Sequence, residues 1–243
     1  MNILVSGANG FIGRNLCLML NENGFSDITK IHRDSSEEDI NKGLENAEII
    51  FHLAGVNRPK NKLEFIEGNA IFTESIVQKL IKLNKKTTII FASSTQAEDS
   101  NAYGESKLRA ENIIKKYSID SGAKYYIYRL PNVFGKWCKP NYNSFIATFC
   151  HNISRERPIE IREPDSEVSL VYIDDVCKSF ITTINSKKEE GYLFVDNVYK
   201  ATVGEVAKQL AHFKNSRDSL IIENVGTGLT RALYSTYLSY LEP

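Results

Sequence analysis

Several features are missing from this 243-residue chain, and each absence closes off a class of function. Basic and acidic residues balance at 30 each, so no charge excess exists to hold a nucleic acid or an anionic membrane. No apolar run approaches the roughly 20 residues that a membrane helix needs. The four histidines, His32, His52, His151 and His212, form no HxxxH or HxH pair, so no metal site is expected. The four cysteines, Cys17, Cys138, Cys150 and Cys177, form no CxxC pair and sit in apolar stretches. They read as buried free thiols in a reducing, cytoplasmic setting. Met1 leads straight into a strand-like segment, which leaves no room for a signal peptide. No internal repeat and no low-complexity segment is present. What remains is an ordinary globular composition, 42% hydrophobic and 25% charged. That suffices for one large α/β domain, or one domain with a small lobe.

The most informative stretch is the first. Asn2 to Ser6 is apolar and β-prone, and it runs into Gly7-Ala-Asn-Gly-Phe-Ile-Gly13 and then a helix-like segment from Arg14 to Leu20. Strand, glycine turn and helix in that order make a dinucleotide site. Gly7 serves the tight turn, Gly10 lets a pyrophosphate approach the backbone, and Gly13 lets helix and strand pack closely. Asn9, Phe11 and Ile12 share the turn. The phosphates would sit on the free N–H groups of the helix N-terminus. No Gly-Lys-Ser/Thr follows, which disfavours a nucleotide-hydrolysing loop.

Strand-like and helix-like segments then alternate. Strands are expected at 27–32, 48–53, 87–93 and 124–130, and helices at 69–83 and 103–117. Apolar strands separated by helices imply a Rossmann-type doubly wound parallel sheet covered on both faces. After Leu130 the pattern loosens. Residues 131–143 read as loop, 144–154 as helix, 168–173 as strand, with a helix from Asp174. Thr202 and Glu205 supply a capping box for a further amphipathic helix carrying Val206, Leu210 and Phe213. The division expected is a dinucleotide-binding core over 1–135 and, over 136–243, mostly a substrate lobe, with some segments returning to the core. The apolar ending, Tyr-Leu-Ser-Tyr-Leu-Glu-Pro243, reads either as a natural terminus or as a chain cut at a domain boundary.

Tyr103 and Lys107 stand four residues apart, on one face of a helix. A free tyrosine titrates near 10. A neighbouring ammonium is expected to pull that value down and make the phenol a usable proton shuttle for carbonyl/alcohol chemistry. Lys107 can also hydrogen-bond a nicotinamide ribose. Ser93-Ser94 closes the preceding strand, and Ser94 is preferred over Ser93, on register alone, to hold a substrate carbonyl oxygen. Around 20 residues past the glycines the fingerprint expects an acid on the ribose. Here His32-Arg33-Asp34 stands there. Arg33 suits the 2′-phosphate of NADP, with Arg14 as a helper. Asp34 would suit NAD if the register moved by one. Taken blandly, Arg33 is an exposed loop residue.

GANGFIG, FHLAG, FASS, YGESK, PNVFG and VYIDDV occur here in the order of the extended short-chain dehydrogenases/reductases that act on nucleotide sugars. The chain resembles that family over nearly its whole length. HLAGVNRP, YGESKL, PNVFGKWCKPNYNSFIATFC and LYSTYLSYL resemble, more narrowly, the reductase domains of capsular-polysaccharide enzymes in which a zinc-binding cupin domain follows. The resemblance implies NADPH-dependent reduction, at C4, of a UDP-2-acetamido-2,6-dideoxy-hexos-4-ulose. The product would be UDP-N-acetyl-6-deoxy-L-talosamine, on the way to UDP-N-acetyl-L-fucosamine. A homodimer, and a cupin domain beyond residue 243, are expected with it. It also implies roles for further residues. Leu53, Ala54 and Gly55 would line the adenosine side of the groove, and Leu130 and Pro131 would touch the nicotinamide. Asn57 and Arg58 would face the sugar or its phosphates, Asn132 would reach the substrate, and Lys139, Asn143 and Ser144 would serve diphosphate or uridine. As plain structural residues these last three are a loop and a helix cap.

Two departures bear on the chemistry. Relatives carry Arg-Asp where Val168-Ser169 stand, so Arg162 or another cation would have to hold the diphosphate. Dehydratases carry Asp-Glu where Thr95-Gln96 stand, which argues against dehydration. A nucleotide-sugar 4-epimerase that keeps NAD bound, and a non-catalytic dinucleotide sensor, stay open as alternative readings.

Overall fold

A computed structural model describes residues 1–59, 61–186 and 188–242. It divides into two compact units. The first comprises Met1–Leu130 and Cys177–Val195, the second Pro131–Val176 and Asp196–Pro243.

The first unit is built on a six-stranded sheet in the order β2-β1-β3-β4-β5-β8. Its strands are β1 (Ile3–Ser6), β2 (Ile28–Ile31), β3 (Ile49–His52), β4 (Thr88–Ser94), β5 (Tyr125–Leu130) and β8 (Gly191–Leu193). Every neighbouring pair is parallel. β1, β3 and most of β4 are buried along their length. Continuous apolar runs such as Ile49–Phe51 and Ile89–Phe91 are what a sheet covered on both faces demands. The covering helices are α1 (Phe11–Glu22), α2 (Glu37–Asn46), α4 (Phe72–Lys82) and α5 (Ala102–Ser121). A short helix, α3 (Leu63–Phe65), runs through a π-helical stretch, Ile66–Ile71, into α4. The expected helix at 69–83 therefore begins earlier and is irregular at its start. On one side Leu80, Ile76, Ile114 and Tyr117 close a core with Ile50, Phe91 and Ile127. The strand order reverses direction between β1 and β3, and a crevice opens at such a switch point past the carboxyl ends of the strands.

The second unit holds a three-stranded sheet, β6 (Asn132–Phe134), β7 (Glu167–Tyr172) and β9 (Val198–Thr202), in the order β6-β7-β9. β6 and β7 run parallel, β7 and β9 antiparallel. The loop expected at Pro131–Gly135 is thus corrected: three of its residues form a strand, too short and too closely bracketed by proline and glycine to show period two. Helices α6 (Phe145–Ile153), α8 (Val203–Ser219) and α9 (Gly228–Leu238) pack on one another. Ser144 caps α6, accepting from the Ala147 N–H at 3.3 Å. The expected capping box opens α8: the Glu205 N–H donates to the Thr202 hydroxyl, and the Thr202 N–H to the Glu205 carboxylate at 2.7 Å. Helix α7 (Ile173–Ile184) begins in this unit and ends in the first.

One contact ties the end of β4 to the start of α5. Ser94 caps a 3₁₀ turn, Thr95–Glu98, and that turn lies directly on Gly104. A Cβ at Gly104 would stand 2.0 Å from the Gln96 carbonyl oxygen. Gly104→Ala is therefore expected to destabilise the protein by about 3 kcal/mol, the upper end of an overpacking cost, read as a lowered urea midpoint. An unchanged midpoint would mean that this contact is not fixed.

Candidate active site

The glycine turn is shaped as a phosphate cradle. Gly7 has φ +72° and lies so close to β3 that a Cβ would meet the Ala54 nitrogen at 2.7 Å. A Cβ on Gly13 would stand 2.3 Å from the Gly7 carbonyl oxygen. Gly10 is the N-cap residue of α1, supplies no side-chain cap, and no acid occupies the first turn. The helix N-terminus, with exposed Asn9 and Gly10 and half-buried Phe11 and Ile12 beside it, is open to an anion. These features fit a dinucleotide.

The turn is held by buried histidine His52. Thr73 Oγ1 donates to the Asn69 carbonyl at 2.5 Å, so it accepts from His52 Nε2 at 2.8 Å. His52 Nδ1 then accepts from Ser6 Oγ at 2.7 Å, and Ser6 Oγ accepts from the Leu53 and Ala54 N–H groups. Burial, with the nearby Lys107 charge, drives the imidazole pKa down to about 3, so the ring stays neutral. The chain of bonds clamps the end of β1 to the Leu53-Ala54 bend.

Ser94, Tyr103 and Lys107 all lie in the first unit, at the end of β4 and on the first turns of α5. Ser94 ends β4, accepts from the Gln96 N–H at 3.2 Å, and stands where it favours the Tyr103 phenolate. Ser93 points elsewhere, donating to Glu111 at 2.5 Å. The Tyr103 ring packs against Phe65, with ring centres 5.6 Å apart. Lys107 is buried; its Nζ donates to the Ala92 carbonyl at 3.0 Å and lies 4.9 Å from the Phe91 ring centre. Burial lowers the Lys107 pKa to about 8, against the opposing pull of Glu111.

The expectation that Lys107 makes Tyr103 acidic is corrected. Burial pushes the Tyr103 pKa up, and Ser94 offsets this only in part. Helical spacing sets the two residues on one face, and the Lys107 ammonium is anchored there by one bond to the Ala92 carbonyl.

Asn69 was not singled out in the sequence, yet it joins the two halves of this centre. Its Oδ1 accepts from the Val56 N–H at 2.9 Å. Its Nδ2 donates to Ser106 Oγ at 2.9 Å, and Ser106 donates to the Tyr103 carbonyl at 2.7 Å. Asn69 lies in the π-helical stretch, where one extra residue per turn re-aims side chains. Gly55 fits against this pair only because it lacks a side chain: a Cβ would stand 2.7 Å from Asn69 Oδ1 and 3.2 Å from Lys107 Nζ. Asn57 and Arg58, just beyond, are exposed.

The remaining expected residues are more dispersed. Arg33 is exposed past β2 and makes no hydrogen bond or ion pair among the described residues. Leu130 is buried and Pro131 half-buried where one unit gives way to the other. In the second unit, Asn132 donates to the Ser169 carbonyl at 3.3 Å. Lys139 is exposed, over the Tyr142 ring. Asn143 precedes Ser144, which has the capping role described above. Arg162 is exposed and donates to Glu160 at 2.9 Å, a surface pair. Arg231, half-buried on α9, rests over the Tyr172 ring at 5.8 Å and has no ion pair among the described residues. Among the described residues, no cluster of His, Cys, Asp or Glu could hold a metal, and no helix is long and apolar enough to cross a membrane.

A glycine cradle at a parallel-sheet switch point, beside a Ser-Tyr-Lys centre, defines a class. The chain belongs to the NAD dependent epimerase/dehydratase family, whose model matches residues 3–195. It is 48% identical, over 242 residues, to the UDP-2-acetamido-2,6-beta-L-arabino-hexul-4-ose reductase of Pseudomonas aeruginosa, covering 99% of this chain and 65% of that protein. Among solved structures it is similar to the capsular polysaccharide assembling protein CapF from Staphylococcus aureus, with 42% identity and a TM-score of 0.91 over the whole of this chain and 66% of that one. The chain thus spans just under two thirds of these relatives. MoeE5 in complex with UDP-glucose and NAD, at 19% identity and a TM-score of 0.82 over 98% of each chain, shares the fold.

The raised phenol pKa can be checked directly. A difference absorbance titration of the free protein minus Tyr103→Phe is expected to show phenolate only above pH 10. A step near neutrality would contradict the burial argument.

Proposed function

We propose that this chain reduces the C4 ketone of a UDP-2-acetamido-2,6-dideoxy-hexos-4-ulose with NADPH, giving UDP-N-acetyl-6-deoxy-L-talosamine. The observation that carries the reading is the placement of Tyr103 and buried Lys107 on successive turns of α5, with Ser94 at the end of β4 positioned to favour the Tyr103 phenolate. The 48% identity to a reductase of a UDP-hexul-4-ose supports it from outside the geometry.

A reduction needs an acid that starts protonated, and the raised Tyr103 pKa suits that direction. When bound, the nicotinamide supplies a hydride to the carbonyl carbon. Tyr103 gives its phenolic proton to the carbonyl oxygen, and Ser94 holds that oxygen through its hydroxyl. The Lys107 ammonium then stabilises the phenolate left on Tyr103, and a solvent proton restores the phenol. Thr95 and Gln96, in the 3₁₀ turn, offer no carboxylate for abstraction beside the sugar ring, so dehydration is disfavoured.

Arg33 supports NADP over NAD, because its guanidinium is exposed and unspent past β2 and suits a 2′-phosphate. A cupin domain beyond this chain and a second subunit, both expected from the resemblance, belong to the same proposal.

Tyr103→Phe is expected to bind NADPH normally and to lose turnover on the 4-keto UDP-sugar by about 10²-fold or more, measured as nicotinamide absorbance. Retained turnover would place the proton donor elsewhere. Arg33→Ala is expected to narrow the NADPH/NADH preference in kcat/KM, and an unaltered ratio would remove Arg33 from the cofactor site.

A further inference from the structure

We propose that Glu111 is a positioning residue for the catalytic pair: its buried carboxylate keeps Lys107 charged and locks α5 to the ends of β4 and β5. Its effect on turnover rests on the function proposed above. Its effect on Lys107 does not.

Glu111 stands four residues after Lys107 and is fully buried. That spacing puts the two on one face of α5, a single turn apart. They anchor to successive residues of β4: Lys107 donates to the Ala92 carbonyl, and Glu111 Oε1 accepts from Ser93 Oγ at 2.5 Å. Arg129, at the end of β5, grips the same carboxylate with a two-pronged fork, Nε to Oε1 at 3.0 Å and Nη2 to Oε2 at 2.7 Å. The Tyr192 hydroxyl on β8 donates to Oε2 at 2.8 Å. Arg129 Nη1 reaches onward to Glu98, in the 3₁₀ turn that carries the chain from Ser94 towards Tyr103. One carboxylate therefore joins β4, β5, β8, α5 and the turn. Burial alone would raise the Glu111 pKa, but the bonds from Arg129, Ser93 and Tyr192 outweigh it and hold the carboxyl below its ordinary value.

A well-packed apolar group commonly fills such a place at no loss of stability, so a buried ion pair is weak ground for a purely structural role. The surroundings of Lys107 give the charge a task. The groups facing its ammonium are the Ala92 carbonyl and the Phe91 ring on β4, the Gly55 backbone, neutral His52 on β3, and Glu111 one turn after. Glu111 is the carboxylate of this set. With it in place, burial already brings Lys107 to about 8. Without it, the buried ammonium would lose the carboxylate that supports it and would hold its proton less tightly. A neutral amine cannot stabilise the Tyr103 phenolate.

The test is an NMR titration of Lys107 in the free protein, labelled at lysine and assigned through Lys107→Arg. In Glu111→Gln, which keeps shape and removes charge, the Lys107 midpoint is expected to fall by about one pH unit, the size of a one-charge effect at close range. An unmoved midpoint, or one raised toward the ordinary 10.5 as a loosened site admits water, would overturn the proposal. If Glu111→Gln does not fold, Glu111→Gln with Arg129→Met, which leaves only the exposed Glu98 without its arginine, is read the same way. In turnover, Glu111→Gln should shift the alkaline limb of kcat to lower pH with KM for the sugar unchanged. Absence of turnover in the unsubstituted protein would fault the proposed function while leaving the titration decisive for Glu111.

Discussion

The candidate site depends on a buried charge. The Lys107 ammonium sits where little water reaches, on a backbone carbonyl of β4 and against the Phe91 face. Such a charge survives only if its surroundings are arranged for it. Much of the local structure can be understood in that light. Gly55 has no side chain because the amine and Asn69 occupy the space. His52 is kept neutral by burial and by that same charge, and its neutral ring transmits the constraint to the Leu53-Ala54 bend and so to the glycine turn. The glycine turn and the first turn of α5 are thereby parts of one hydrogen-bonded assembly within the first unit.

The direction of the chemistry follows from which proton states burial favours. A phenol pushed up by burial is a reservoir of protons, and an amine pulled down is a cation that needs support. Both suit a step that begins with neutral tyrosine and ends with phenolate beside ammonium. The acidic phenol expected from the Tyr-Lys spacing would have suited the opposite step equally well. The 3₁₀ turn between Ser94 and Tyr103 packs its Gln96 carbonyl on Gly104, which fixes the end of β4 against the start of α5.

Much of this was legible in the residues, and the failures have a common cause. The glycine turn, the parallel alternation, the Tyr-Lys pair and the caps at Ser144 and Thr202 are local patterns, set by neighbours a few positions apart, and they stand where the pattern put them. Strand β6 was missed because three residues between Pro131 and Gly135 carry no periodicity. Helix α9 was not anticipated in the apolar ending. Asn69 and Glu111 were missed because their partners are remote: Val56 and Ser106 for the first, Ser93, Arg129 and Tyr192 for the second. Helical spacing likewise tells which face Lys107 shares with Tyr103, but not that a carbonyl fifteen positions upstream captures the amine.

The measurement that bears most directly on the reductase reading is the fate of the hydride. With NADPH carrying deuterium at C4 of the nicotinamide and a 4-keto UDP-sugar as substrate, the account predicts a product bearing one deuterium at sugar C4, formed in step with NADP. A sugar product without the label, or NADPH left unconsumed while the sugar changes configuration, would contradict it.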